Sequence, residues 1–133
     1  PKALQQVRQG LWDVVNAPGG TGGNARVEGL NVAGKTGSVQ VIAYSGWIKA
    51  TSLPFKYRDH AWFASFAPSE NPQMVVVVFV EHGGAGGADA APLARVLFES
   101  RFRDKVTGTH LDLSNPETLQ QIKEGELPLP STR

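Results

Sequence analysis

The stretch Val32-Ala33-Gly34-Lys35-Thr36-Gly37-Ser38-Val39-Gln40-Val41 sets a cation, two hydroxyls and two glycines at the head of a run of β-forming residues. With the residues before it, Gly29-Leu30-Asn31-Val32-Ala33-Gly34-Lys35-Thr36 fits the phosphate-loop pattern G-x-x-x-x-G-K-[ST] letter for letter. That pattern works only where a helix begins at the Lys-Thr end and turns its N-terminal amides toward phosphate. Here Gly37 to Ile42 favours a strand, and Leu30-Asn31-Val32 alternates like one. The context therefore argues against a nucleotide site. The competing reading is Lys-Thr-Gly on a strand that walls an active site. Lys35 would place a fixed positive charge beside a reacting centre, where it can help move protons and attract a carboxylate. Thr36 and Ser38 would offer hydroxyls to that carboxylate. Gly37 has no side chain, so a peptide-like substrate could lie against the strand and pair with its backbone. A lone Lys-Thr-Gly recurs by chance at strand starts, so the flanking chain has to decide.

The chain has 133 residues, enough for one small domain with a modest core. Its formal charge is +1 with 19% charged residues, which implies no nucleic-acid or membrane-surface partner. Cysteine is absent, so a disulfide framework, a thiolate metal site and a cysteine nucleophile are excluded. No apolar run approaches the roughly 18 residues of a membrane helix, and no signal peptide is visible. Pro1-Lys2-Ala3 leads almost directly into an amphipathic segment without an initiator methionine, as expected of a piece cut from a longer chain.

Around the central stretch, Leu4, Val7, Leu11, Val14 and Val15 fall at helical spacing and predict a helix over Ala3 to Asn16. The run Ala17-Pro18-Gly19-Gly20-Thr21-Gly22-Gly23-Asn24 ends it. Such a run could cradle an anion, but it reads more simply as a flexible connector. The first strand is expected over Val32 to Ile42, followed by a long mixed loop, Ala43 to Asp59, of the kind that often forms a lid. His60 to Ala67 alternates imperfectly and predicts a second strand. Pro68-Ser69-Glu70-Asn71-Pro72 is a tight turn, so the next strand must be its antiparallel neighbour. That strand, Met74 to Val80, is continuously apolar, which suits burial on both faces. After Gly83-Gly84-Ala85-Gly86-Gly87 a helix is expected from about Asp89, a plausible cap, to Arg103, with Pro92 tolerated in its first turn. Apolar residues cover most of its circumference and predict a buried helix. Beyond Asp104 the character changes. Ser114-Asn115-Pro116-Glu117 has capping-box spacing for a short helix to about Glu124, and Glu126 to Arg133 reads as extended. The expected organisation is residues 1–103 as one incomplete domain and 104–133 as a tail.

Taken in order, these pieces resemble a known family. They are Gly10-Leu11-Trp12-Asp13-Val14-Val15 in a helix, the glycine linker, and Val32-Ala33-Gly34-Lys35-Thr36-Gly37-Ser38. After them come Asp59-His60-Ala61-Trp62-Phe63 with Ala67-Pro68, the valine strand into Glu81-His82-Gly83-Gly84, and Ala90-Ala91-Pro92 opening a helix. From about Val7 to Arg103 the chain looks like the C-terminal half of a penicillin-binding protein transpeptidase domain, nearest the elongation-type class B group, penicillin-binding protein 2. Lys-Thr-Gly is the third motif of that family. The resemblance implies a cell-wall D,D-transpeptidase on the periplasmic face of the bacterial inner membrane, working without a cofactor through a serine acyl-enzyme. Its implied partners are the peptidoglycan stem peptide, β-lactams and cell-wall elongation proteins, with no nucleic acid. It would make Lys35 the lysine of proton transfer and electrostatics. Thr36 and Ser38 would bind the terminal carboxylate, the amide of Ser38 would be an oxyanion donor, and Gly37 would give clearance. The family more often has threonine where this chain has Ser38.

The chain departs from the family in what it lacks. Ser-x-x-Lys, the family's nucleophile motif, is absent: Ser45 with Lys49 and Ser52 with Lys56 are one residue too far apart. Ser69-Glu70-Asn71 matches the second motif, Ser-x-Asn, but follows Lys-Thr-Gly instead of preceding it, so Ser69 reads as a turn residue. Without a nucleophile the polypeptide cannot run acylation alone. An N-terminal part of the same domain is expected to supply it. His60 and His82 lack metal-ligand company and read as structural. Trp62 and Phe63 read as core, and Glu81 as a partner for a nearby cation. The expected fold is α/β of the α+β type, a three-stranded antiparallel meander flanked by helices with the Lys-Thr-Gly strand at the open edge. That edge could pair with a second copy. A non-catalytic domain of this fold, binding wall peptides or partner proteins, is the alternative.

Overall fold

The structure, a computed structural model, describes residues 1–43 and 52–103. Helix α1 (Lys2–Asn16) leads through a 3-10 turn at Gly23–Ala25 into strand β1 (Ala33–Val39). Strands β2 (His60–Ala67) and β3 (Met74–Val80) follow, then a single π turn at Gly86–Ala90 that runs into helix α2 (Ala91–Arg101). The sheet order is β1-β2-β3 and both pairings are antiparallel, so β1 occupies one edge. The second and third strands have the boundaries their alternation and the proline-flanked turn predict. The first is shorter than expected, ending at Val39. The expected lid loop is partly outside the described residues, and the tail helix and extended end lie wholly outside them.

Register assigns each residue of β1 to a face. Thr36 stands opposite Phe63, which stands opposite Val78; Lys35 is likewise in line with Ala64 and Val77, and Gly37 with Trp62 and Phe79. Directly opposed residues share a face. The face of Phe63 carries the core: Phe63, Ala61, Ala67 and Val76 pack with Val15 of α1 and with Ala91, Ala94 and Phe98 of α2. The buried polar side chain of β2, Ser65, is satisfied by donating to the carbonyl of Val76 at 3.0 Å.

Three expectations of burial fail. Strand β3 is covered on one face only: Val76 is 5% exposed, but Val75 and Val77 are 71% and 59% exposed. Trp62, expected in the core with Phe63, is 39% exposed and instead packs against Phe79 on the open face, with ring centroids 4.6 Å apart. In α2, Ala91, Ala94 and Phe98 are buried while Leu93, Val96 and Leu97 are exposed. Both described helices contribute to the same core, so the opposite face of the sheet and the outer side of α2 stay uncovered among the described residues. Asp89 does not cap α2. It accepts from the amide of Ala85 at 2.9 Å and closes the turn before the helix, whose first turn instead accommodates Pro92.

Candidate functional site

The Lys-Thr-Gly stretch forms a regular edge strand. The chain after Lys35-Thr36 continues extended to Val39, so the helix a phosphate loop requires is absent there and the nucleotide reading falls. Because side chains alternate, Thr36 and Ser38 fall on the helix-bearing side while Lys35 falls on the open side. The lysine is exposed, and its ammonium donates to the carbonyl of Thr36 at 2.7 Å.

A groove of about 570 Å³ runs beside Thr36, Gly37 and Ser38. Its other walls are two glycine segments, Gly20 to Asn24 (without Gly22) and Ala85 to Ala88. The first is no loose connector, contrary to the sequence reading. The amide of Gly22 donates to the carbonyl of Val14 at 2.8 Å, and the guanidinium of Arg26 donates to the carbonyl of Asn16 at 2.7 Å. These bonds satisfy carbonyls that the end of α1 would otherwise leave open, and a cation at a helix C-terminus is favoured by its dipole. Asn16 in turn donates to the carbonyl of Val32 at 2.8 Å and ties the helix to the approach of β1.

The second glycine segment crosses β1 at close range. A Cβ on Gly86 would clash with the carbonyl of Trp62 and lie 2.7 Å from the carbonyl oxygen of Gly37. A Cβ on Gly87 would clash with the carbonyl of Thr21. Only glycine permits these approaches. Asn24 donates to the carbonyl of Gly87 at 2.9 Å, and the hydroxyls of Thr21 and Thr36 lie 2.9 Å apart. The three segments thus interlock around the groove. Sequence reasoning missed both walls. The available signal was the pair of glycine runs, Gly19–Gly23 before Lys-Thr-Gly and Gly83–Gly87 after it.

The remaining candidates lie elsewhere. Ser69 belongs to the β2–β3 turn, where its hydroxyl donates to Glu70 at 3.1 Å and its amide to the carbonyl of Asn31 at 2.8 Å. It lines a different groove, with Trp12, Arg8 and Glu70, that shares no residue with the first. His60 accepts from the backbone amide of His82 at 2.9 Å, and the His82 ring contacts the carbonyl of Arg58 at 3.1 Å. No group of three metal-ligating side chains occurs among the described residues. Nor, among those residues, is any helix long and apolar enough to cross a membrane.

Residues 1–99 match the family model described as the penicillin-binding protein transpeptidase domain. The chain belongs to that family. It is 40% identical over 100 residues to a Haemophilus influenzae protein named peptidoglycan D,D-transpeptidase MrdA, covering 73% of this chain and 15% of that protein. Among solved structures it is similar to Pseudomonas aeruginosa PBP2 in complex with WCK 5153, with a TM-score of 0.60 and 32% identity over 77% of this chain and 20% of that one. It is also similar to Helicobacter pylori PBP2 in a complex with MreC, with a TM-score of 0.55 and 26% identity over 95% of this chain and 18% of that one. The chain therefore spans less than a quarter of the length of these relatives. Within that span the antiparallel sheet and helices are those of a penicillin-binding transpeptidase domain.

Proposed function

We propose that this chain is the Lys-Thr-Gly part of a serine-type peptidoglycan D,D-transpeptidase of the penicillin-binding protein 2 kind. One observation carries the reading: Lys-Thr-Gly lies on an edge strand with a glycine-walled groove along it, lined also by Thr21, Thr36 and Ser38. An extended stem peptide, or a β-lactam in its place, would lie along β1. Thr36 and Ser38 would donate hydroxyl protons to its terminal carboxylate, and the Ser38 amide would donate to the oxyanion. Lys35 would supply positive charge from the open side, where the nucleophile's segment would meet it. A serine from outside this chain would attack the carbonyl carbon of the penultimate D-Ala. Its proton would pass to the departing terminal D-Ala amine, leaving an ester that the acceptor amine then resolves. The site would face the periplasm, and an elongation protein of the kind seen with the Helicobacter relative would be a partner of the whole enzyme.

The test is intact-mass measurement of the full-length protein containing this chain after exposure to a penicillin. An adduct of one penicillin on a segment outside this chain, suppressed by Lys35→Ala, is the expected result. A folded full-length protein that takes up no penicillin would overturn the enzyme reading and leave a wall-peptide-binding domain in its place.

A further inference from the structure

We propose that Thr21 is a positioning residue for the ligand's carboxylate, acting through the hydroxyl of Thr36; this deepens the transpeptidase reading and rests on it. The two hydroxyl oxygens are 2.9 Å apart and either could be the donor. Each threonine has one proton to give. If Thr36 gives its proton to Thr21, none remains for a ligand. If Thr21 gives, the proton of Thr36 is free to point into the groove that both residues line. A carboxylate can only accept, so an anionic ligand at Thr36 selects the second arrangement. The two bonds then run in one direction and strengthen each other.

The backbone at Thr21 is held for this task. Its carbonyl lies where a side chain on Gly87 would be, Asn24 donates to the carbonyl of Gly87, and the adjacent Gly22 amide is bonded to Val14. The glycine run therefore presents one hydroxyl at a fixed place, 15 residues ahead of the one it orients.

The experiment compares acylation of the full-length transpeptidase by a penicillin and by its carboxylate methyl ester. Thr21→Val is expected to slow acylation by the free acid about three- to tenfold, the loss of one neutral hydrogen bond. The loss should appear in the apparent affinity and not in the limiting rate. Thr21→Ser should restore it. The ester also accepts but carries no charge, so its slower reaction should lose less from Thr21→Val, and Thr21→Val should add nothing in a Thr36→Val background. Should Thr21→Val lose its fold, as judged by its melting temperature, Thr21→Ala removes the same hydroxyl and carries the comparison. Equal loss with acid and ester, additive loss with Thr36→Val, or no loss at all overturns the assignment of Thr21 alone. A wild type that takes up no penicillin overturns the transpeptidase reading, and this proposal with it.

Discussion

Lys35 and Thr36 are adjacent in the chain and occupy opposite faces of β1, so their chemistry and their structural roles separate cleanly. Lys35 is exposed, and its ammonium donates only to the carbonyl of the neighbouring Thr36 among the hydrogen bonds of the described residues. Lys35→Ala should therefore leave the unfolding free energy within about 0.5 kcal/mol of the parent, and the melting midpoint close to it. In the full-length protein it should slow penicillin acylation by roughly two to three orders of magnitude, as loss of a preorganised electrostatic group does. A midpoint that falls together with the rate would show that the lysine supports the fold. Gly86 is the opposite case. It touches no proposed reacting atom, yet a methyl there meets the backbone of Trp62 and Gly37. Gly86→Ala should destabilise the chain by roughly 1–3 kcal/mol, read by urea denaturation, because the strand would have to move. An unchanged urea midpoint would mean that the glycine segment does not press on β1.

At the scale of elements, α2 offers a direct comparison. Phe98 is fully buried and Leu97 is 47% exposed. Phe98→Ala should cost about 3–5 kcal/mol and Leu97→Ala less than about 0.5 kcal/mol, measured by the same denaturation. Equal losses would mean that the outer side of the helix is covered in solution. This contrast also marks what the sequence could convey. The limits of β2 and β3 were legible because alternation, the His60 start and the Pro68–Pro72 turn all act locally. The edge position of β1 followed from strand order. Coverage was not legible: Met74 to Val80 is apolar throughout whether one face or two are packed, and only the positions of α1 and α2 decide it. The glycine run after α1 misled for a related reason. Its bonds go to Val14 and Gly87, one behind it and one far ahead, and composition records neither. Lys35, Thr36, Gly37 and Ser38 were legible as a motif, but not the groove, whose walls come from both sides of the strand.

For the molecule as a whole, the sheet face left uncovered among the described residues is the dominant feature. Trp62, Val75, Val77 and Phe79 form an apolar surface beside β1, which among the described residues pairs on one side only. Such surfaces associate. Light scattering of the isolated chain should show a mass that rises with concentration, and Val77→Lys should lower it by charging the face while leaving the edge intact. A constant monomer mass would count against both routes, and a rise that Val77→Lys does not alter would point to edge pairing alone. The groove has a different global dependence. Asn24 and Gly87, which brace it, are 63 residues apart. Contacts of that span carry a loop-closure cost that the local pairings of the meander do not, so they are expected to form after them. The meander can assemble from its neighbouring strands, but the groove waits for both glycine segments to arrive. Its occupancy by a ligand would therefore report completed folding, and a chain stopped after Val80 would lack both the second glycine wall of the pocket and the α2 side of the core.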